Sequence, residues 1–147
     1  MINATISEQL GLLATIDPVS QGVGSVATGW VKADKFDRFM AVIQTGVLGT
    51  AATVDAKLQQ ATSAAGANAK DVTGKAITQI VKASGDNKQA LINLRADELD
   101  TNGGFAWFNV TITVGAAASL VAASVVGGRA KDAPASASNQ AAVAQIV

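Results

Sequence analysis

The residues in this sequence that could do chemistry are few, and the most concentrated group is acidic. Asp97, Glu98 and Asp100 fall within four positions, a grouping that could serve general acid–base catalysis or bind calcium. A calcium loop of the EF-hand type needs oxygen ligands at alternating positions, a glycine and a distant glutamate, and that pattern is absent. We therefore interpret the group as the solvated side of a one-turn helix and predict no metal site.

Other catalytic signatures are also missing. The chain has no His and no Cys, which removes the commonest general base, the thiolate nucleophile and the soft metal ligands. The glycines Gly22, Gly24 and Gly29 do not have the spacing of a phosphate-binding loop, and no Lys followed by Ser or Thr closes the loop. We therefore predict that the protein has no catalytic residues, binds no cofactor and is not an enzyme.

Length and charge narrow the choice further. A chain of 147 residues suffices for one domain with a core. Eleven basic residues balance eleven acidic ones, so no long-range field attracts nucleic acid or an anionic membrane, and we expect neither as a partner. The N-terminal residues lack the basic and apolar regions of a signal peptide, which predicts synthesis in a cytoplasm without secretion.

The stretch at positions 105–128 has the most regular pattern in the chain. Apolar and polar residues alternate over 105–114 and again over 119–126, which is typical of half-buried strands. Because Gly115 and three small alanines separate the two runs, we predict a long β-hairpin that ends at Gly127 and Gly128.

A membrane-spanning helix is the alternative for this stretch, since no charged residue lies between Asp100 and Arg129. However, Asn109 and Thr111 sit inside it, Gly115 interrupts it, and its first half has a period of two. These features favour the hairpin, and we expect no membrane span.

Short alternating runs recur along the rest of the chain. The clearest covers 53–60, where Val54, Ala56 and Leu58 share one face. The run at 10–16 is expected to end in a turn at Asp17–Pro18. About eight strands at a spacing of roughly 8 to 12 residues, without a long amphipathic helix, predict an all-β fold, namely a β-sandwich of the jelly-roll or a related Greek-key type.

The composition changes after Gly128. Residues 129–140 are rich in Ala, Ser and charge, with too little apolar surface to pack on a core, and the chain becomes apolar again near its end. We predict an N-terminal arm at 1–9, a β-sandwich domain at 10–128 and an extended C-terminal arm at 129–147. This arm would leave its own sandwich and dock on a neighbouring subunit, as an added strand or a short helix, and the domain would fold without it.

Large apolar residues outside the core pattern are candidates for an interface. Only Trp30 and Trp107 are large aromatic side chains of the kind that anchor interfaces or stack on sugars, and Val143, Ile146 and Val147 end the arm. If residues 105–114 lay at a sheet margin, a symmetric oligomer or a lattice would have to cover them. We therefore expect a homo-oligomer.

Four segments resemble a group of small proteins encoded among the head genes of tailed bacteriophages and prophages. They are 28–39, 53–61, 71–80 and 110–127, the last with its Thr-Val-Gly-Ala turn, and the likeness spans about 25–128. The resemblance implies a head decoration or cement protein, or another minor virion component, with a β-sandwich fold. It also implies the major capsid protein or other virion subunits as partners, and location in the virion after synthesis in the host cytoplasm.

No functional residue is carried over, because the likeness consists of a strand pattern and a turn. Two alternatives remain open. One is a structural protein of the tail or connector; the other is a β-sandwich module that binds carbohydrate or a host surface, for which Trp107 would be the test residue.

Overall fold

The computed structural model describes residues 3–147 and consists mainly of two antiparallel sheets. With strands numbered in chain order, sheet A has the order β1 (Leu10–Gln21), β10 (Ser119–Ala130), β4 (Phe36–Thr45) and β8 (Gln89–Arg95). Sheet B has the order β2 (Gly24–Ala27), β9 (Trp107–Gly115), β5 (Thr53–Ala61) and β6 (Lys70–Ala76). Two short strands extend sheet B, β3 (Val31–Lys32) beside β9 and β7 (Ile80–Val81) beside β5.

The strand order is that of a jelly roll. The first long strand, β1, pairs with the last, β10, and β2 pairs with β9, β4 with β8, and β5 with β6. Strands from the first half of the chain thus pair, in order, with strands of the second half counted back from its end. Eight strands wound in this way form two four-stranded sheets. The prediction of an all-β, jelly-roll β-sandwich is confirmed.

The core forms where the inner faces of the two sheets meet. Val54, Ala56 and Leu58 of β5 are each no more than 2% exposed, as their alternation with polar neighbours predicts. Across the sandwich, the rings of Phe39 in β4 and Phe108 in β9 meet edge to face with centroids 4.8 Å apart. This contact ties sheet A to sheet B.

The predicted hairpin at 105–128 is wrong, although both of its strands exist. β9 lies in sheet B and β10 in sheet A, so the turn after Gly115 carries the chain from one sheet to the other. β9 is also no margin strand, because β2 and β3 flank it on one side and β5 on the other. Moreover, β10 does not stop at Gly127 but runs on to Ala130. Both strands bury one face in the same core. Two strands that face each other across a core show the same alternation as two strands that pair in one sheet, so the sequence pattern cannot distinguish the two arrangements.

The predicted turn at Asp17–Pro18 is also wrong. β1 runs through both residues, and its register against β10 shifts between Ile16 and Val19. Proline cannot donate a hydrogen bond to a neighbouring strand, so it is tolerated only at bulges and on edge strands. Pro18 meets both conditions, because it lies at the register shift and β1 is an edge strand of sheet A.

The helical segments are short. They are α1 (Ile6–Gln9), α2 (Lys82–Gly85) and the 3₁₀ turns Ala96–Glu98, Thr101–Gly103 and Ala135–Ser138. The turn at Ala96–Glu98 confirms the short helix predicted for the acidic group. Within residues 3–147, no helix has the length and apolar character needed to cross a membrane. Of the predicted N-terminal arm at 1–9, Met1 and Ile2 lie outside the described residues.

The first half of the predicted C-terminal arm packs on its own sandwich. The backbone N–H of Lys131 donates to the carbonyl of Lys35 over 2.9 Å, and Ala135 is completely buried. The N–H of Gln140 donates to the carbonyl of Leu12 over 2.8 Å. The expected departure at Gly128 is therefore wrong for residues 129–140. The composition of this segment predicted that it would not pack on the core. One small buried side chain and a few backbone hydrogen bonds nevertheless hold it there. Docking on a neighbouring subunit stays a prediction for residues 141–147.

Candidate functional site

The outer faces of the two sheets differ sharply in charge. Each strand turns alternate residues away from the core, and the register between strands brings these residues into rows. On sheet B the rows are polar, hydrogen-bonded and partly ionic. On sheet A three adjacent rows carry no charge.

The uncharged face of sheet A is built from all four of its strands. One row joins Leu12, Val126, Met40 and Asn93; the next joins Thr15, Ser124, Val42 and Leu91; the third contains Ala122, Gln44 and Gln89. We call these eleven residues the uncharged face. Leu91 is 58% exposed, and charges appear only beside the rows, at Arg38 and Arg95 on one side and at Asp17 on the other.

A depression extends the uncharged face at one end. Its volume is about 490 Å³, and none of the residues that line it is ionisable. Val19 and Leu120, which are 41% and 46% exposed, form apolar walls, while Gln44 and Gln89 supply amides. Exposed apolar surface that continues into a concave, uncharged depression is typical of a protein interface.

The outer face of sheet B is saturated with hydrogen bonds instead. Lys57 Nζ lies 2.8 Å from Asp71 Oδ1, which also accepts a bond of 3.2 Å from Gln59 Nε2. These two donors, Lys57 first, lower the pKa of Asp71 below its ordinary value. Gln79 donates to Asp55 over 2.9 Å. A face whose polar groups form hydrogen bonds and ion pairs with one another in this way is suited to remain exposed to solvent.

Both tryptophans lie beside β3. Trp30 precedes β3 and is half-buried, and a Cβ at Gly66 would come within 2.6 Å of its Nε1, so the loop after β5 rests against it. Trp107 opens β9 opposite Lys32, whose Nζ lies 6.0 Å from the ring centroid. The structure thus places the two predicted aromatic residues near β3, each partly covered by its own chain.

The other predicted interface residues lie in the C-terminal segment. Val143 follows the segment that packs on β1 of sheet A, and its N–H donates to the carbonyl of Gln140 over 3.1 Å. Ile146 is 54% exposed and Val147 fully exposed. The C-terminal segment also comes close to one of the tryptophans, because Trp30 lines a cleft together with Leu13 and Ser138.

The acidic group is held by ion pairs and hydrogen bonds. Glu98 accepts a bond of 2.7 Å from the backbone N–H of Arg95 and pairs with Lys75 Nζ at 3.1 Å, and these contacts lower its pKa, with the Arg95 bond the larger cause. Asp100 pairs with Lys70 Nζ at 2.7 Å and accepts a hydrogen bond from the backbone N–H of Gly103. These two contacts, Lys70 first, lower the pKa of Asp100. Within residues 3–147, no three acidic side chains gather closely enough to hold a metal ion.

The uncharged face is the feature that sequence reasoning missed. Its signal was present, because consecutive outward positions in three strands lack charge: Met40 and Val42 in β4, Leu91 and Asn93 in β8, and Ser124 and Val126 in β10. Only the register reveals that these short uncharged runs lie side by side.

No protein-family model matches this sequence. A comparison with curated protein sequences also gives no match. Among solved structures, the chain is similar to a Triatoma virus structure with a TM-score of 0.47 and 8% identity, over 91% of this chain and 70% of that one. A cowpea mosaic virus empty particle gives 0.42 and 10%, over 83% and 81%. TmCBM61, solved with β-1,4-galactotriose, gives 0.39 and 11%, over 76% and 70%. Identities of this size say nothing about a shared ligand or partner.

Proposed function

We propose that this protein is a structural component of a virion, and more specifically a decoration or cement protein on the head of a tailed bacteriophage or prophage. It would bind the major capsid protein or another virion subunit through the uncharged face of sheet A. In this role it catalyses no reaction, and it resides in the particle after synthesis in the host cytoplasm.

The contrast between the two outer faces carries this proposal. A subunit that sits on a particle needs one face for its neighbour and another for water. The uncharged face presents Leu91, Val42 and Met40 without an ionic group to desolvate, which favours burial. The ion-paired face of sheet B already satisfies its own polar groups. The sequence resemblance to phage head proteins is the reason for proposing a phage head as the particle.

The size of the uncharged face suits attachment in many copies. At a strand spacing of about 4.8 Å and a rise of about 3.4 Å per residue, its three rows cover about 400 Å². A stable pairwise interface buries about 800 Å² on each partner. A single contact here would be weak, whereas repeated contacts on one particle would retain the protein through avidity.

The test is incorporation into particles. A tagged copy is expressed in the strain that encodes the chain, particle production is induced, and heads are purified by density gradient. We expect the protein to band with the heads, and Val42→Lys, which puts a charge in the centre of the uncharged face, to reduce its occupancy at least tenfold. Val81→Lys is the matched control, since Val81 is 40% exposed on β7 of sheet B. Absence of the wild-type protein from heads, tails and connectors would refute a virion role.

Carbohydrate binding is the second candidate, and one observation favours it. Trp107 shares the outer face of sheet B with the amide and carboxylate groups of Gln59 and Asp71, a combination that can stack on and hydrogen-bond to a sugar. A glycan-array signal that disappears in a folded Trp107→Ala variant would establish this function in place of the first. If the wild-type protein gives no signal, the candidate fails.

A further inference from the structure

Most of the strand edges in this fold are protected against pairing with another chain. β1 contains two register shifts and Pro18, and Asn139 and Gln140 bond to the backbone of Leu12. β2 is only four residues long, and β6 carries a register shift and several charged side chains. Bulges, proline, short length and charge are the usual means of blocking edge-to-edge association.

β8 lacks a bulge, a proline and, between Gln89 and Leu94, any charged side chain. It pairs with β4 without a shift from Arg95 to Gln89, and it contains neither proline nor glycine. The N–H of Thr45 donates to the carbonyl of Lys88 over 2.8 Å. The backbone N–H and C=O groups of Lys88 and of every second residue after it therefore point towards β4. The backbone groups of Gln89, Leu91 and Asn93 therefore point to the free edge. Within residues 3–147, no segment outside the sheet bonds to these three residues.

We propose that β8 pairs antiparallel with β8 of a second copy of this chain, across a twofold axis at Leu91. In this register Leu91 lies opposite Leu91, and Gln89 lies opposite Asn93. Each of the three residues then exchanges both of its free backbone hydrogen bonds with its partner.

The side chains of β8 are self-complementary in this register. On the outer face, the two Leu91 side chains meet between pairs of amides from Gln89 and Asn93. On the inner face, the small Ala90 opposes the larger Ile92. Arg95 opposes Asn87, so no like charges face each other at the junction. A second copy is therefore a better occupant than an unrelated strand, because the same residues, 87–95, supply both halves.

Pairing at β8 also joins the two uncharged faces. The two A sheets become one continuous eight-stranded sheet, and the uncharged surface doubles to about 800 Å², the share that one partner contributes to a standard interface. The inference goes beyond the proposed function, since pairing at this edge requires no particle.

Cysteine cross-linking tests the register directly, because the natural chain contains no cysteine. In a Leu91→Cys variant the twofold axis brings the two cysteines opposite each other at a Cα separation of about 5.5 Å, within the disulfide range. Leu120→Cys is the control, on the same side of sheet A but two strands further in. Its symmetry mate would lie about 36 Å away, because the two residues are separated by five strand spacings across the sheet and eight residues along it. We expect mild oxidation to yield a covalent dimer of the first variant only. Cross-linking of Leu120→Cys without Leu91→Cys would indicate face-to-face packing and overturn the proposal.

Sedimentation of purified protein gives an independent check. Wild-type protein at about 100 µM should sediment as a dimer, whereas Leu91→Lys places two like charges at the axis and should sediment as a folded monomer. Val81→Lys on sheet B should stay dimeric. A monomeric wild type would overturn the pairing but leave attachment to a particle untouched, and absence from particles would leave the solution dimer untouched.

Discussion

Asn139 accepts, through its side-chain Oδ1, a hydrogen bond of 2.9 Å from the backbone N–H of Leu12. One residue later, the N–H of Gln140 donates to the carbonyl of Leu12. Both free backbone groups of one residue on the edge strand β1 are thus occupied by residues that lie more than a hundred positions away. The C-terminal segment acts as a cover for this edge of sheet A.

The first prediction concerns that cover. Asn139→Ala removes the acceptor for the Leu12 N–H, and we expect it to lower the free energy of unfolding by about 1 kcal/mol, the usual net value of one hydrogen bond. Urea unfolding followed by circular dichroism measures the change. Gln145→Ala, at an exposed position beyond the bonded segment, is the control and should match the wild type. Equal stability of the two variants would show that water replaces the Asn139 bond without loss.

The second prediction concerns where the folded unit ends. Deletion after Gly128 removes the last residues of β10 and the buried Ala135, and we expect a clear loss of stability. Deletion after Gln140 removes only residues 141–147, most of which are exposed, and should leave the thermal midpoint within about 2 °C of the wild type. Differential scanning calorimetry of both truncations decides the matter. If the shorter chain is as stable as the longer one, residues 129–140 are a true arm.

The third prediction concerns a close approach in the core. A Cβ on Gly127 would meet Phe36 Cγ at 2.7 Å and Leu13 Cδ1 at 2.9 Å, so Gly127→Ala forces packed side chains apart. We expect a loss of about 1–3 kcal/mol, typical of overpacking. Gly128→Ala is the matched control, because its nearest neighbour is the flexible end of Leu10 at 3.3 Å. Chemical denaturation should separate the two, and similar losses for both would assign the effect to the strand backbone.

The fourth prediction is a pH dependence centred on Glu98. Its bonds to the Arg95 N–H and to Lys75 lower its folded pKa below the ordinary value of 4.5, so protonation favours the unfolded chain. The stabilisation is therefore complete above about pH 4.5 and is lost as the pH falls through the lower folded pKa. Thermal melts between pH 7 and pH 2 should show a shallower acid decline for Glu98→Gln than for the wild type. Parallel curves for the two proteins would contradict the assignment.

Sequence reasoning recovered the strands and the fold class but not which strands pair. Alternation in β5 and β9 identifies the side chains that face the core, because burial of one face is a local property. It cannot identify the neighbours of β10, which are β1 and β4, since those contacts join residues far apart in the chain. The hairpin at 105–128 failed for this reason.

The candidate site likewise has one part that the sequence predicts and one part that depends on strand register. Trp30 and Trp107 stand out by residue type, and the structure places both beside β3, with Trp30 directly before it and Trp107 opposite Lys32. The uncharged face of sheet A has no single conspicuous residue. It exists only because the register aligns Leu12, Met40, Leu91 and Val126 from four separate strands. A composition rule likewise missed the packing of residues 129–140, which rests on Ala135 and on backbone bonds.

The pairing of the first long strand with the last dictates an order of events during synthesis. β10 is an inner strand of sheet A, and it bonds β1 on one side and β4 on the other. Until positions 119–130 have left the ribosome, β1 and β4 have no strand between them, and their edges remain open. Closing such distant pairs is slow, and open edges expose a nascent chain to aggregation. Synthesis must therefore have passed β10 before sheet A can form, and the interval before β10 arrives is the time at which chaperones would protect this chain.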